Sequence, residues 1–255
     1  MISNFLEILI LSIVQGISEF LPISSSAHLF LVSEIYKFKS QSLLVDVGLH
    51  LGSLLAIIFY FRNELKEIVN NKNLLFLMIL GSLPVIILGA IIYKTGLINY
   101  FRNIEVIAWT TLIFALLLYI ADKFENKKKI ETDLELKSIL IIGVFQILAL
   151  IPGVSRSGIV ITAGRFLNFS RYDSTKISFY LSIPAIAGAS FLSLKSLVDK
   201  NIDLNLIVLV SILLSFIFSY LTIKYFLIFV KKFTLNTFVI YRIILSVILF
   251  LTIYT

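Results

Sequence analysis

The sequence has no cysteine. That excludes a disulfide framework, a thiolate nucleophile and a zinc–thiolate site. Charge is scarce as well. Asp, Glu, Lys and Arg together make up 15% of the chain, where a soluble domain carries about 25%. Once the apolar runs are set aside, no stretch is left that would form a soluble domain of useful size. The N-terminus has no basic n-region and runs straight into Phe5-Leu6-Glu7-Ile8, so no cleavable signal peptide is expected. Only four prolines and two histidines occur. Each one found inside an apolar run therefore calls for a reason.

What is abundant is apolar surface. Of the 255 residues, 59% are hydrophobic, and the mean hydropathy is +1.01. This composition fits an all-α polytopic membrane protein. The formal charge is +7. The basic residues are scattered over short loops, so no nucleic-acid partner is expected, and membrane lipids are the expected surroundings. Six runs have about the length and character needed to cross a bilayer: 46–61, 74–93, 104–121, 177–194, 206–223 and 239–254. Two further apolar regions are interrupted. Residues 5–36 are broken by Pro22 and a run of serines, and residues 138–167 are broken by "IPGVSRSG". Half-segments this short, separated by polar breaks, read as re-entrant helix pairs, because such breaks are tolerated only against protein or a cavity.

Charge sets the expected orientation. The loops 62–73, 122–137, 165–176 and 231–238 carry thirteen Lys and Arg, against six in 37–45, 94–103 and 195–205. Basic loops face the cytoplasm, which would put both termini outside. The three basic residues left over, Arg156, Lys224 and Arg242, lie within or at the ends of apolar runs. The first re-entrant pair then enters from outside and the second from the cytoplasm, each followed by three spans. The expectation is a single membrane domain, 1–255, made of an inverted-topology repeat. Its halves are roughly 1–121 and 138–255, joined by the cytoplasmic loop 122–137. "QGISEFLPISSS" in the first half is similar to "QILALIPGVSRS" in the second. Such repeats place their ligand site near the midplane, where the breaks meet.

The residue types at the two breaks suit an oxyanion. Gln15 and Glu19 share a helix face before Pro22. Pro22 disfavours helix at Leu21 and ends the first half-helix. Ser24, Ser25 and Ser26 are good N-cap residues for the helix that follows, whose free N–H groups make an anion site. His28 lies four residues after Ser24 and three after Ser25, so it can turn back toward them. In the second break, Gly153 allows close backbone approach, Ser155 or Ser157 can cap the next helix, and Arg156 offers a planar fork for phosphate oxygens. The meeting point would therefore hold two helix starts, an arginine, hydroxyls, a carboxylate and an imidazole.

Each of these residues also has a plain structural reading. Membrane serines bond back to carbonyls of the preceding turn. Glu19 and Arg156 can form a structural ion pair, and a lone His28 can be a packed hydrogen-bonder. His50 in "DVGLHLGS" is read as structural and Asp46 as a helix cap. Trp109 is read as an interfacial anchor and Lys127–Lys129 as a solvated topogenic run. The combination of groups, repeated with inverted topology, favours the functional reading.

At these residues the sequence resembles the undecaprenyl-diphosphate phosphatase family, the bacitracin-resistance type of integral membrane phosphatase in bacterial cell-wall synthesis. Gln15 and Glu19 match its first signature, a Glu or Gln four residues before a Glu, and "FLPISSSAH" matches the proline–serine–histidine stretch that follows. Pro152, Gly153, Ser155, Arg156 and Ser157 match Pro-Gly-x-Ser-Arg-Ser. "VDVGLHLGSLLA" and "FVIYR" are similar to further family text. Two positions depart from the pattern. Val160 stands where the family has a threonine, and Thr162, two residues later, lies on another helix face. Gln15 in place of Glu removes one carboxylate.

The resemblance implies hydrolysis of undecaprenyl diphosphate to undecaprenyl phosphate and inorganic phosphate, at the outer face of the bacterial inner membrane. It also implies a divalent cation, Mg²⁺ or Ca²⁺, with Gln15 and Glu19 as its expected ligands. The expected catalytic residues are Glu19, Ser25, His28 and Arg156; Ser24, Ser26, Gly153, Ser155, Ser157 and Thr162 are the expected substrate-binding set. Three routes stay open: His28 as base on an attacking Ser25, His28 as the nucleophile, or an activated water. The rival class is a transporter or flippase for isoprenyl lipid phosphate using the same anion site. Self-association into a homo-oligomer is left open.

Overall fold

The computed structural model describes residues 2–36, 38, 42–195 and 206–254. These form thirteen α-helices: α1 (Ile2–Ser18), α2 (Ser25–Tyr36), α3 (Leu43–Tyr60), α4 (Arg62–Asn70), α5 (Lys72–Thr95), α6 (Ile98–Phe101), α7 (Ile104–Asp122), α8 (Ile130–Asp133), α9 (Leu136–Ile147), α10 (Arg156–Phe166), α11 (Arg171–Lys195), α12 (Leu206–Lys232) and α13 (Asn236–Tyr254). No strand occurs among the described residues beyond one isolated bridge, Lys128 to Phe169. Six helices are long and apolar enough to cross a membrane: α3, α5, α7, α11, α12 and α13. Each overlaps one of the six runs expected from sequence, and most extend beyond it, α12 by nine residues at its C-terminal end. Much of the charge count for loops 37–45 and 195–205 falls on residues outside the described ones.

Local sequence sets the helix ends. Ser42 caps α3 by accepting the Val45 N–H at 3.3 Å. Asp46 therefore sits inside the first turn of α3, and the expectation that it caps the helix is corrected, because the helix begins earlier than the apolar run suggests. Asn71 and Asn103 cap α5 and α7 in the same way, accepting from Leu74 N–H at 3.1 Å and Val106 N–H at 2.8 Å. α5 stops at Gly96, whose φ of 69° is left-handed.

Small polar residues let the helices pack closely. α3 lies against α12 along Ser53, Ser215 and Ser219. Ser219 donates to Ser53 Oγ at 2.9 Å, and Ser215 donates to the Leu49 carbonyl at 2.6 Å. A Cβ on Gly52 would come within 2.3 Å of the Ile212 carbonyl oxygen. Glycine at position 52 is thus required by backbone approach, as in small-residue interfaces between membrane helices. α1 also packs on α12, α9 packs on α5, and α7 pairs with α13. Large apolar side chains such as Phe76, Ile79, Leu83 and Ile87 on α5 are left exposed outward, which suits contact with lipid.

The segment joining the halves is tied down at one end of the bundle. Asp122 accepts from Arg171 Nε at 2.6 Å and from the Leu235 N–H at 3.0 Å. The fully buried Arg165 donates to the carbonyls of Asp122, Phe124, Glu125 and Phe169 and to the Asn126 side chain. Between this end and the breaks lies an aromatic layer. Phe179 meets Phe20 at a centroid distance of 5.4 Å, and Phe61 meets Tyr180 at 5.2 Å.

Candidate active site

Two shorter helix pairs, α1–α2 and α9–α10, carry the breaks, which meet inside the bundle. Their backbones share a feature 131 residues apart. Ser24 has φ 77° and Ser155 has φ 71°, left-handed values for non-glycine residues, which cost about 1–3 kcal/mol each unless the surroundings hold them. Each is followed by a new helix start, α2 at Ser25 and α10 at Arg156. Each pairs with the serine two residues on: Ser24 Oγ to Ser26 Oγ at 3.4 Å, Ser155 Oγ to Ser157 Oγ at 3.2 Å. Ser155 also caps α10 by accepting the Gly158 N–H at 3.1 Å. Gly153, with φ 90°, presses on α7: a Cβ there would lie 2.1 Å from Thr110 Oγ1. Thr110 in turn donates to the Pro152 carbonyl at 2.7 Å.

Glu19 is where the breaks are joined. Its side chain is 8% exposed, and it takes four contacts. Arg156 Nη2, from the other break, donates to Oε1 at 2.7 Å. Ser25 Oγ donates to Oε2 at 2.7 Å, and Gln15 Nε2 donates to Oε2 at 3.0 Å. His50 Nδ1 lies 3.8 Å from Oε2. Arg156 spreads its fork further, with Nη1 donating to the Ser178 carbonyl at 3.1 Å. Ser157 donates across the breaks to the Leu21 carbonyl at 2.7 Å. Glu19, Ser25 and Arg156 are thus brought together.

His28 is placed elsewhere. Its Nδ1 lies 2.6 Å from the Ser24 carbonyl and its Nε2 lies 2.5 Å from the Tyr241 hydroxyl. The expected contact between Ser25 and His28 is not made, because the Ser25 hydroxyl is turned to Glu19 and the imidazole to α13. Among the substrate-binding expectations, Ser26 lines a cavity, whereas Ser24, Ser155 and Ser157 are buried. Thr162 donates to the Gly158 carbonyl at 2.8 Å within α10, and Val160 is fully buried beside it. The Thr162 hydroxyl is thus taken up by the last residue of the second break.

Three residues at the site carry no functional reading in the sequence. His50, read there as structural, meets Gln15 Nε2 at 2.9 Å through Nδ1. Arg242 is fully buried and donates to carbonyls of both breaks: Pro22 at 3.4 Å, Gly153 at 3.0 Å and Val154 at 3.2 Å. Tyr241 is its neighbour. The signal that points to Arg242 is its charge inside an apolar run. For His50 and Tyr241 no local pattern distinguishes a site residue from a packed one.

Two adjoining cavities of about 510 Å³ each open beside the breaks. They share Leu43, Val47, His50, Arg102 and Ser193. One is mainly apolar, running between α3, α5 and α11 past Gly89 and Gly188. The other holds the polar groups Ser26, Asp46, His50 and Arg102. Both lie toward the starts of α3 and α7 and the ends of α5 and α11, away from the loop 122–137 and beyond the aromatic layer.

No group of three or more His, Asp or Glu able to hold a metal occurs among the described residues. Oxygen donors are nonetheless present. Gln15 Oε1 is buried with no hydrogen-bond partner, while Nε2 of the same amide meets the Glu19 carboxylate. One carboxylate and one amide oxygen match a hard cation that takes its remaining ligands from substrate phosphates.

Residues 8–248 match the family described as bacitracin resistance protein BacA. The chain belongs to this family. A Pelagibacter ubique (strain HTCC1062) protein named undecaprenyl-diphosphatase is 62% identical over 255 residues, covering all of both chains. Proteins of the same name from Elusimicrobium minutum (strain Pei191) and Campylobacter curvus (strain 525.92) are 43% and 40% identical. They cover 95% and 96% of this chain and 96% and 98% of their own. The BacA match takes in both breaks and the Tyr241–Arg242 pair of α13.

Proposed function

We propose that this protein hydrolyses undecaprenyl diphosphate to undecaprenyl phosphate and inorganic phosphate, recycling the lipid carrier for cell-wall synthesis and so giving bacitracin resistance. One observation carries the chemistry: Arg156 of one break and Ser25 of the other converge on the buried Glu19. The names of the relatives favour a phosphatase over a carrier of lipid phosphate. The mainly apolar cavity suits an isoprenyl chain, and the one that holds Ser26, His50 and Arg102 suits a diphosphate head group.

The mechanism follows from what each group can give. Phosphoryl transfer needs positioning and charge neutralisation above all. Arg156 is tied to Glu19 and held by the Ser178 carbonyl, so its fork is already oriented. An arriving diphosphate competes with Glu19 for the guanidinium. As Arg156 turns to phosphate, Glu19 is freed to take the Ser25 proton. Ser25 Oγ attacks the terminal phosphorus, the bridging P–O bond breaks, and isoprenyl monophosphate leaves with the electron pair. Water then cleaves the phosphoserine, releasing inorganic phosphate and restoring the hydroxyl. Ser26, His50 and Arg102 line the head-group cavity. A divalent cation, Mg²⁺ or Ca²⁺, held by Glu19 and the unpartnered Gln15 Oε1, would neutralise phosphate charge.

The test is release of inorganic phosphate from undecaprenyl diphosphate by purified protein in detergent, where no gradient can drive transport. One phosphate and one undecaprenyl phosphate per substrate are expected, with activity lost in excess chelator and restored by Mg²⁺ or Ca²⁺. Absence of phosphate release rejects the reading. Full activity in chelator removes the cation from it.

The two broken pairs and their following spans read as inverted repeats in the bacterial inner membrane, with both termini and the cavities on the extracytoplasmic side. The exchanged packing, α1 on α12 and α9 on α5, supports this, as do the matched left-handed serines. So does the closure of the site by aromatics toward the lysine-rich loop. The cysteine-free background allows a direct check. A Lys128→Cys variant should react with an impermeant thiol reagent only after the membrane is opened. Labelling in intact cells would reverse the orientation.

A further inference from the structure

The partners of His28 are specified by its hydrogen bonds. The Ser24 carbonyl can only accept, so His28 Nδ1, at 2.6 Å, carries the hydrogen. In the neutral ring Nε2 is then a lone pair. It accepts from the Tyr241 hydroxyl at 2.5 Å, and the two rings lie nearly parallel, 5.7 Å apart. The chain of donors runs from Tyr241 through His28 to the carbonyl of Ser24, a left-handed residue directly before Ser25. The lone pair of His28 faces α13, and the Ser25 hydroxyl faces Glu19. The second break is held from the same helix: Arg242, next in sequence, donates to the carbonyls of Gly153 and Val154, just before the left-handed Ser155. Consecutive residues of α13 thus buttress the two left-handed turns.

We propose that Tyr241 and His28 are positioning residues: together they hold the Ser24 turn and so aim the Ser25 hydroxyl at Glu19. His28 acts through its Nδ1–H rather than as base or nucleophile. The inference rests on the phosphatase reading for its effect on rate, but the contact itself is independent of that reading.

Amide substitutions separate the two nitrogens. The amide N–H of His28→Asn falls near Nδ1, whereas that of His28→Gln reaches the position of Nε2. His28→Asn should keep kcat within about 10-fold of wild type, the scale of one altered hydrogen bond. His28→Gln and His28→Ala should lose at least about 10²-fold, as expected for misplacement of a reacting group. Tyr241→Phe keeps the ring and removes the hydroxyl. It should lower kcat about 3- to 10-fold with KM nearly unchanged, and should have no further effect in a His28→Asn background, where there is no Nε2 to hold. Melting temperature is recorded for each variant. Nitrogen-15 spectra of histidine-labelled protein, which has only two histidines, report the tautomer directly. His28 should be protonated at Nδ1 in wild type and shift toward an Nε2-protonated mixture in Tyr241→Phe.

A folded His28→Asn as inactive as His28→Ala overturns the proposal, as does an equal loss from Tyr241→Phe in both backgrounds. An Nε2-protonated His28 in wild type also overturns it, and that spectrum decides the contact if His28→Asn fails to fold. If wild-type protein releases no phosphate, the phosphatase reading fails, while the tautomer still decides whether the Tyr241–His28–Ser24 chain exists.

Discussion

Arg156→Lys is expected to lower kcat/KM by at least about 10²-fold, the scale of losing a positioned charge-assisted contact made in the transition state. The substitution keeps a positive charge beside Glu19, so the buried carboxylate retains a partner. What it removes is the fork. Arg156 reaches Glu19 Oε1 through Nη2 and the Ser178 carbonyl through Nη1. This fixes a plane in which phosphate oxygens can be met two at a time. An ammonium on a flexible stem holds one direction poorly and cannot keep Ser178 while it turns from Glu19 to substrate. Steady-state kinetics in detergent, with melting temperature as the folding control, measure this. Activity within a few-fold of wild type in a folded variant would show that bidentate phosphate recognition is not used.

Glu19→Gln has a second large expected effect, with two components. As the acceptor of the Ser25 proton, Glu19 supplies acid–base help of about 10²–10⁴-fold, and an amide cannot take that proton. A loss of about 10³-fold or more in kcat is expected, since any cation ligation would be weakened as well. Stability should fall too. Arg156 is 13% exposed, and removing one partner of a buried ion pair costs up to about 3–5 kcal/mol. The amide oxygen can still accept from Arg156 and Ser25, which keeps the destabilisation below that limit. Glu19→Gln should therefore melt lower than wild type yet higher than Glu19→Ala. If Glu19→Gln is stable and active, the carboxylate is neither base nor cation ligand.

How far the sequence foretells these features depends on how local each one is. The six spans are legible because about 20 apolar residues in a row have few alternatives. Their ends extend beyond the runs where polar caps such as Ser42 and Asn71 lie outside the apolar text. The breaks are legible for a similar reason. Pro22, Gly153 and the serines are out of place inside a membrane helix, and Glu19 and Arg156 each need a partner there.

What is not legible is set by contacts between distant segments. His28 follows Ser25 by three residues, a spacing that allows their side chains to meet. The left-handed turn at Ser24 and the hydroxyl of Tyr241, 213 residues on, direct the imidazole to α13 instead. His50 looks like any packed histidine until α3 is laid beside α1 and its Nδ1 meets Gln15. Arg242 is conspicuous by charge, yet only the folded chain shows that its partners are carbonyls of both breaks rather than a carboxylate. Thr162 lies two residues past the position where the family has its threonine, and only the folded chain shows that its hydroxyl bonds the Gly158 carbonyl.

The two breaks are joined through Glu19 and Arg156, and as one site acting on a lipid diphosphate they should fail together. Phosphate release from undecaprenyl diphosphate by wild type, Glu19→Gln, Arg156→Lys and the double variant tests this most directly. Residues acting as one unit give losses far from additive. Release by wild type, a large loss in each single variant, and a double variant scarcely worse than the poorer single are expected. Losses that multiply fully in the double variant, or a wild-type protein that releases no phosphate, would contradict this.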